Sequence, residues 1–265
     1  MNNPIKYISS IQNPLVKNIL LLKEKSKARK KQGLFILEGV RELNLVLKGN
    51  YHIASLLFYK ELISFDKVQQ LSSKDTELIE ISKEVYQKLA FRSTTEGIIA
   101  IVNTKEFSFE HIKLPKNPLI LVAEAPEKPG NIGALLRTAD AANVDLVIIA
   151  NPLTDMFNPN IIRSSVGCIF TNTIAIGNTT EIIAYLKNNN VNLYAAALHE
   201  DSKDYKIQDF KKSTAIIVGT EATGLSDEWL TQSEKIIIPM QGEIDSLNVS
   251  VSAAILIFEA VRQRN

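Results

Sequence analysis

One cysteine, one tryptophan, three methionines and three histidines are the whole supply of those types in these 265 residues. With Cys168 alone, no intramolecular disulfide can form. His52, His111 and His199 are scattered and share no metal-ligand spacing with that thiol, so structural zinc is excluded. No stretch reaches the roughly 18 uncharged apolar residues that a membrane span needs. The opening MNNPIKYISSIQNP has no cationic segment followed by an apolar one, and a cytoplasmic chain is expected. There is no internal repeat and no low-complexity tract, which leaves out solenoids and fibrous architectures. There is also no excess of one charge, since 30 Lys and Arg face 29 Asp and Glu. What is present is ordinary for a soluble protein, with 45% hydrophobic and 22% charged residues. At roughly 100–200 residues per domain, two modest domains are expected.

The balanced total hides an asymmetry. Residues 1–117 hold 19 Lys and Arg against 12 Asp and Glu (+7), whereas residues 118–265 hold 11 against 17 (−6). A basic half beside an acidic one suggests a polyanion-binding module joined to something else, although a charge run is also what a solvated face looks like. In the basic half, Leu15, Ile19 and Leu22 recur at helical spacing and run into the basic stretch Lys23 to Lys31. Gly33 separates this stretch from a strand-like Leu34-Phe-Ile-Leu37. A helix near 40–48, an apolar run at 53–59, helical stretches around 60–72 and 83–90, and a β-rich Ile98-Ile-Ala-Ile-Val102 complete a small α/β domain. The polar, proline-bearing stretch that follows has no sustained period and reads as a linker. The expected division is 1–104, a linker at 105–117, and 118–265.

The second half carries stronger apolar runs at Leu119–Val122, Leu146–Ile149, Asn192–Ala196, Ala215–Val218 and Ile236–Ile238, with helices between them. Such runs predict a largely parallel sheet buried on both faces, whose ligands bind beyond the C-terminal ends of the strands. Three clusters follow those strands. The first is Glu124-Ala-Pro-Glu-Lys-Pro-Gly-Asn131-Ile-Gly, opening a helix that carries Arg137 two turns in. The second is Gly219-Thr-Glu221-Ala-Thr-Gly224-Leu225, in which glycine lets a ligand approach the backbone. The third runs from Ile238-Pro239-Met240 to Ser246-Leu247-Asn248 at the start of the final helix. For each cluster taken alone, a capped or tightly packed helix start is the simpler account. None is a dinucleotide fingerprint or a phosphate loop, and a nicotinamide-dependent oxidoreductase is thereby set aside.

Taken together and in order, Asn131-Ile-Gly-x-x-x-Arg137, Gly219-x-Glu221-x-x-Gly224-Leu225 and Ile238-Pro-Met through Ser246-Leu-Asn-Val-Ser250 resemble the three motifs of the SpoU/TrmH-type RNA ribose 2′-O-methyltransferases. The resemblance spans about residues 118–265. A looser likeness joins Asn13 to Ala100, through Gly33-Leu-Phe-Ile-Leu-Glu-Gly39 and Ser93-Thr-Thr-Glu-Gly-Ile-Ile-Ala100, to the family's RNA-binding domain, which is similar to small ribosomal proteins. The resemblance implies an α/β fold with a C-terminal trefoil knot threaded by residues around 192–250, against the general rarity of knots. It implies a homodimer that binds S-adenosylmethionine through Gly219, Ile238 and Leu247, with Ala197, Pro239 and Met240 as neighbours. It also implies catalytic work by Arg137, Asn131, Glu221, Ser246 and Asn248.

An arginine is a poor base, because its guanidinium does not lose a proton in proteins. Stabilising a developing alkoxide or holding a phosphate is the easier role for Arg137. In the family the partner subunit completes the active site, and Arg163-Ser-Ser-Val-Gly167 resembles the segment involved, so Arg163 is expected to meet RNA phosphate. Lys27, Arg29, Lys30 and Arg41 are expected to grip RNA backbone from the basic stretch. Two departures from the family pattern are Glu124 in place of the usual aspartate and Lys128-Pro129-Gly130 in place of Asp-Pro, with Lys128 read as solvated. Ribosomal RNA is the expected substrate. The alternatives are a transfer RNA methyltransferase and a non-catalytic RNA-binding ribosome-assembly factor.

Overall fold

A computed structural model describes residues 5–91, 96–220 and 223–265. The elements run β1 (Lys6–Ile8), α1 (Pro14–Glu24), α2 (Ser26–Gln32), β2 (Leu34–Glu38), α3 (Val40–Lys48), β3 (Ile53–Phe58), α4 (Phe65–Gln70), β4 (Glu77–Ile81), α5 (Lys83–Leu89) and β5 (Ile98–Asn103). They continue with β6 (Leu119–Glu124), α6 (Pro129–Ala141), β7 (Leu146–Ala150), α7 (Pro159–Ser164), β8 (Ile174–Gly177), α8 (Thr179–Asn188), β9 (Asn192–Ala196), β10 (Lys203–Asp204), β11 (Thr214–Val218), α9 (Asp227–Gln232), β12 (Glu234–Ile237) and α10 (Val249–Arg264). Two units form. One contains Met1–Lys105 with Asp155–Thr171, and the other contains Glu106–Thr154 with Asn172–Asn265.

The first unit is a five-stranded mixed sheet in the order β1-β4-β3-β5-β2, in which β5 runs antiparallel to both neighbours. The apolar face of α1 (Val16, Ile19, Leu22) closes on Ile36, Leu57, Ile79 and Ile99, as the three-and-four spacing of those helix residues requires. The helical stretch expected at 60–72 shrinks to α4, because Ser64 caps it by accepting from Lys67 N at 3.4 Å. Short strands β1, β4, β8 and β10 escaped the sequence reading. In β4, for example, Glu-Leu-Ile-Glu-Ile gives only a weak alternation.

Residues Asp155–Thr171 lie between β7 and β8 in the chain yet pack with the first unit. Phe35 stacks on Phe157 at 4.7 Å and on Phe170 at 5.6 Å between ring centroids, with Tyr51 edge-on to both. Aromatic contacts of this kind each add about 0.5–1.5 kcal/mol beyond burial. Division at a single linker therefore misplaces this excursion, whose apolar residues are completed by strand β2 rather than by their chain neighbours. Nor is 105–117 a loose tether. Phe109, Ile112 and Leu114 pack on the core of the second unit, and Phe107 O accepts from Ile176 N at 2.9 Å.

The second unit is a seven-stranded, wholly parallel sheet in the order β10-β12-β9-β11-β6-β7-β8. Every residue of β6, β7 and β11 is buried, as strands covered on both faces must be. Ile120, Val122, Ile148, Ile182, Ile217 and the fully buried Trp229 form its core. The chain moves outward from β6 to β8, returns to β9, and then inserts β11 between β6 and β9. All strands point the same way, so the loops after β6, β9, β11 and β12 gather at the C-terminal end of the sheet, where open parallel sheets bind ligands.

Candidate active site

Helix α6 begins at Pro129, a residue suited to the first helical turn because it has no N–H to satisfy. Ile132, Leu135, Leu136 and Ala139 fill the buried face, which leaves Arg137 exposed. Among the described residues Arg137 makes no hydrogen bond or ion pair, so its guanidinium is available to an incoming anion. Asn131 sits nearly two turns earlier. Its Oδ1 accepts from Nδ2 of Asn248 at 3.2 Å. Asn248 is the N-cap of α10, and its own Oδ1 accepts from Ser250 N at 3.0 Å and Ser250 Oγ at 2.6 Å. The first and third sequence clusters are thus joined by one side-chain pair.

The second cluster supplies the floor. Thr220 and Gly224 exchange backbone hydrogen bonds at 3.1 and 3.2 Å just after β11. A Cβ placed on Gly219 would lie 2.4 Å from the backbone of Gly224, so only glycine fits there. Glu221, expected to be catalytic, lies outside the described residues.

A cavity of about 630 Å³ opens between the loops after β9, β11 and β12, and its lining includes Ala197, Gly219, Ile238, Met240, Leu247 and Asn248. Of the six residues expected at the cofactor, only Pro239 is not in that lining. Apolar side chains, exposed backbone and a few polar groups in this volume are what a small organic ligand needs. A second cavity of about 90 Å³ shares Gly219, Thr220 and Val249 with the first and adds Lys128 and Asn131. Lys128 is exposed, as the sequence reading expects, and also lines this smaller space. Ser246 also lines the large cavity and donates to Asp245 Oδ1 at 3.1 Å.

The large cavity has a residue that the sequence reading missed. His199 lines its rim and pairs through Nδ1 with Asp201 Oδ1 at 2.6 Å, while Asp201 Oδ2 accepts from Lys235 at 2.6 Å. The Lys235 hydrogen bond, followed by that of His199, holds the Asp201 carboxyl below its usual range. The position of His199 just beyond the C-terminal end of a parallel strand was the available signal. Glu124 takes a different part from the one its place in the motif suggests. It is 6% exposed and accepts from Ser226 N at 2.8 Å, Ser226 Oγ at 2.7 Å and Thr179 Oγ1 at 3.2 Å, tying β6 to the starts of α8 and α9.

The RNA-binding candidates all lie in the first unit. Lys27, Lys30, Arg41 and Arg163 are exposed. Arg29 is a correction: it is buried and ion-paired with Asp155 at 2.5 Å, so burial removes it from any RNA surface. Lys23, in the same basic stretch, is likewise occupied by the carbonyls of Leu89 and Ala90. Among the described residues no cluster fit for a metal ion exists, and no helix is long and apolar enough to cross a membrane.

Comparison with known proteins bears on this arrangement. Residues 118–258 match the SpoU rRNA Methylase family, and residues 13–100 match the MRM3-like substrate binding domain. The 23S rRNA (guanosine(2553)-2′-O)-methyltransferase RlmP of Bacillus subtilis is 30% identical over 257 residues, covering 96% of this chain and 98% of its own. The tRNA (guanosine(18)-2′-O)-methyltransferase of Thermus thermophilus is 38% identical over 148 residues, but covers only 55% of this chain and 75% of its own. The AdoMet-bound rRNA methyltransferase of Sinorhizobium meliloti superposes with a TM-score of 0.89 at 27% identity, covering 97% of this chain and 98% of the other. With its motifs meeting at the C-terminal end of the parallel sheet and a family match over more than half its length, this chain belongs to the SpoU rRNA methylase family.

Proposed function

We propose that the protein transfers a methyl group from S-adenosylmethionine to the ribose 2′-hydroxyl of a nucleotide in ribosomal RNA. The observation that carries this reading is the pair of adjoining cavities. A roomy one, lined by polar and apolar groups in near-equal measure, meets a small and mostly apolar one at Gly219, and Asn131 brings its amide to the second. The residues fit the cofactor. Gly219 brings bare backbone to the wall, Ile238 and Leu247 offer apolar surface to an adenine, and Ser246 and Asn248 offer polar atoms to a ribose or amino-acid tail. When bound, the cofactor supplies an electrophilic methyl on a sulfonium. Positioning then governs much of the rate.

Asn131, held by Asn248, would orient the ribose. Arg137, exposed and without a partner among the described residues, would hold the neighbouring phosphate and stabilise negative charge growing on the 2′-oxygen. Its proton stays on, since guanidinium is charged throughout the working range. Ser246 and Glu221 complete the set of residues assigned to the reaction.

Ribosomal RNA is favoured over transfer RNA by the length of the match. The 23S rRNA relative covers nearly all of this chain, including its substrate-binding half, whereas the tRNA relative covers about half. A trefoil knot around 192–250 is part of the same reading, supported by the insertion of β11 between β6 and β9 after the chain has crossed the sheet. So are a homodimer and a cytoplasmic location. The homodimer is supported by Val251 and Phe258, two turns apart on α10 and each nearly half exposed.

The test is incubation of the purified protein with labelled S-adenosylmethionine and unmodified 23S rRNA or bulk tRNA, followed by nuclease digestion and mass spectrometry of nucleosides. A 2′-O-methylated nucleoside from 23S rRNA is expected. Label in tRNA alone would move the substrate, and binding of RNA with no affinity for the cofactor would leave an assembly factor.

A further inference from the structure

Arg29 spends its charge inside the first unit. Its Nε donates to Asp155 Oδ2 at 2.5 Å, and its terminal nitrogen donates to Leu22 O at 2.6 Å and Lys23 O at 3.2 Å. The two side chains are 3% and 8% exposed. A buried ion pair loses the hydration of both ions, so such a pair is better understood through the geometry it fixes than through net stabilisation. Asp155 begins the excursion Asp155–Thr171, and its Oδ1 accepts from Phe157 N at 3.0 Å. One carboxylate therefore ties the start of this excursion to α2.

The far end is tied to α3 and its following turn. A Cβ on Gly167, whose φ is +84°, would lie 2.8 Å from Leu45 Cδ1, and one on Gly49 would lie 2.1 Å from the Phe170 carbonyl oxygen. Val166 adopts a φ of 55°, a left-handed conformation that a β-branched residue keeps only where its surroundings enforce it. Between these two anchors stands α7, which presents Arg163 to solvent with its guanidinium donating to Asn160 Oδ1 at 3.0 Å. The elements that grip the excursion also carry exposed cations. Lys27 and Lys30 flank Arg29 on α2, and Arg41 precedes Glu42, whose Cα is 3.6 Å from the Gly167 Cβ position.

We propose that the RNA-binding surface of the first unit is composite. Arg163, contributed by the segment between β7 and β8, would join Lys27, Lys30 and Arg41 in contacting one stretch of phosphate backbone. The buried Arg29–Asp155 pair is the joint that sets α7 in place, which makes Arg29 a positioning residue and not an RNA contact. The inference rests on the RNA-directed reading above and adds to it which side chains share the grip. Each phosphate contact steepens the fall of affinity with salt, by about 0.7 to 0.9 in the logarithmic slope.

The test uses the full-length protein and an unmodified 23S rRNA transcript, with RNA affinity measured against salt by filter binding and S-adenosylmethionine affinity measured by calorimetry. Arg163→Ala is expected to weaken RNA binding several-fold and to reduce the salt slope by about one, with cofactor affinity unchanged. In an Asp155→Asn background the same Arg163→Ala change is expected to be nearly silent, because α7 is no longer held. Additive losses in the double variant would show that the pair does not position Arg163 and would overturn the proposal. Should Asp155→Asn not fold, the milder Arg29→Lys, which keeps the charge but lacks the fork that reaches the carboxylate and both carbonyls at once, is read in the same way. A wild type that binds the cofactor and no RNA overturns the parent reading and this one together. Firm wild-type RNA binding with a silent Arg163→Ala overturns the composite surface alone.

Discussion

Nδ2 of Asn248 donates to Oδ1 of Asn131 at 3.2 Å across 117 residues of chain, and this contact joins the start of α10 to the start of α6. Asn248 therefore has two separable duties, capping a helix and orienting a neighbour. Asn248→Ala should lose both, at about 1 kcal/mol of stability for the cap. Asn248→Ser should restore the cap and the melting temperature while leaving transfer slowed by about tenfold, the value of one hydrogen bond of about 1.4 kcal/mol. Thermal melts beside single-turnover rates check this. Recovery of both quantities in the serine variant would reduce Asn248 to a cap.

Gly219 is where backbone must approach backbone. A Cβ there would stand 2.4 Å from Gly224 carbonyl carbon and oxygen, atoms that cannot swing aside as a side-chain tip does. Gly219→Ala should thus push the 220–224 loop off β11, cost about 1–3 kcal/mol as overpacking does, and remove measurable S-adenosylmethionine binding. Calorimetric titration with the cofactor decides it. An alanine variant with unchanged affinity would take Gly219 out of the cofactor wall.

The parallel sheet was legible because β6, β7 and β11 are unbroken apolar runs, and the loops after the strands were legible because Gly219, Pro239 and Asn248 are turn and cap residues. The charges were not legible in the same way. Arg29 and Lys30 are neighbours in one basic run, and only the helical rotation between them sends one inward to Asp155 and the other to solvent. The excursion of 155–171 was equally hidden, because Phe157 and Phe170 would suit any apolar surface and nothing local names Phe35 as theirs. A fragment ending at residue 117 would leave Phe35 and Tyr51 without Phe157 and Phe170, and Arg29 buried without its carboxylate. Such a fragment should aggregate or melt well below a version supplied with 155–171 in trans. Equal melting of the two would show that the excursion is dispensable to the first unit.

Arg137 projects from α6 without a partner among the described residues, so its replacement should disturb little of the fold. Arg137→Ala should lower the rate of transfer by about 10² to 10³, the usual loss when one donor to a developing oxyanion is removed. Cofactor affinity and melting temperature should stay at wild-type values. Arg137→Lys should recover only part of the rate, since a single ammonium cannot bridge a phosphate and a ribose oxygen as the planar fork can. Rapid-quench measurement of methyl transfer separates these cases, and wild-type turnover by the alanine variant would remove Arg137 from the chemistry.

The C-terminal end of α10 carries a pH dependence with a definite sign. The Glu259 carboxyl is held down to about 2 chiefly by hydrogen bonds from Arg262, then from Gln263. Gln263 in turn donates to Gln208 O at 3.0 Å and accepts from Phe210 N at 2.9 Å, so the acid helps to fix the strap that leads to β11. A carboxyl whose pKa is lower in the folded chain than the ordinary value of about 4.3 contributes stability that is fully present above about pH 4.3 and is lost as pH falls toward 2. Glu259→Gln keeps the shape and removes the charge. It should melt below wild type at pH 6, and the gap should narrow steadily through pH 4 and 3 as the wild-type acid takes up its proton. Arg262 is 70% exposed, which keeps the whole effect modest and sensitive to salt. A melting difference that stays constant between pH 6 and 3 would mean that the charge on Glu259 contributes nothing to holding this end of the helix.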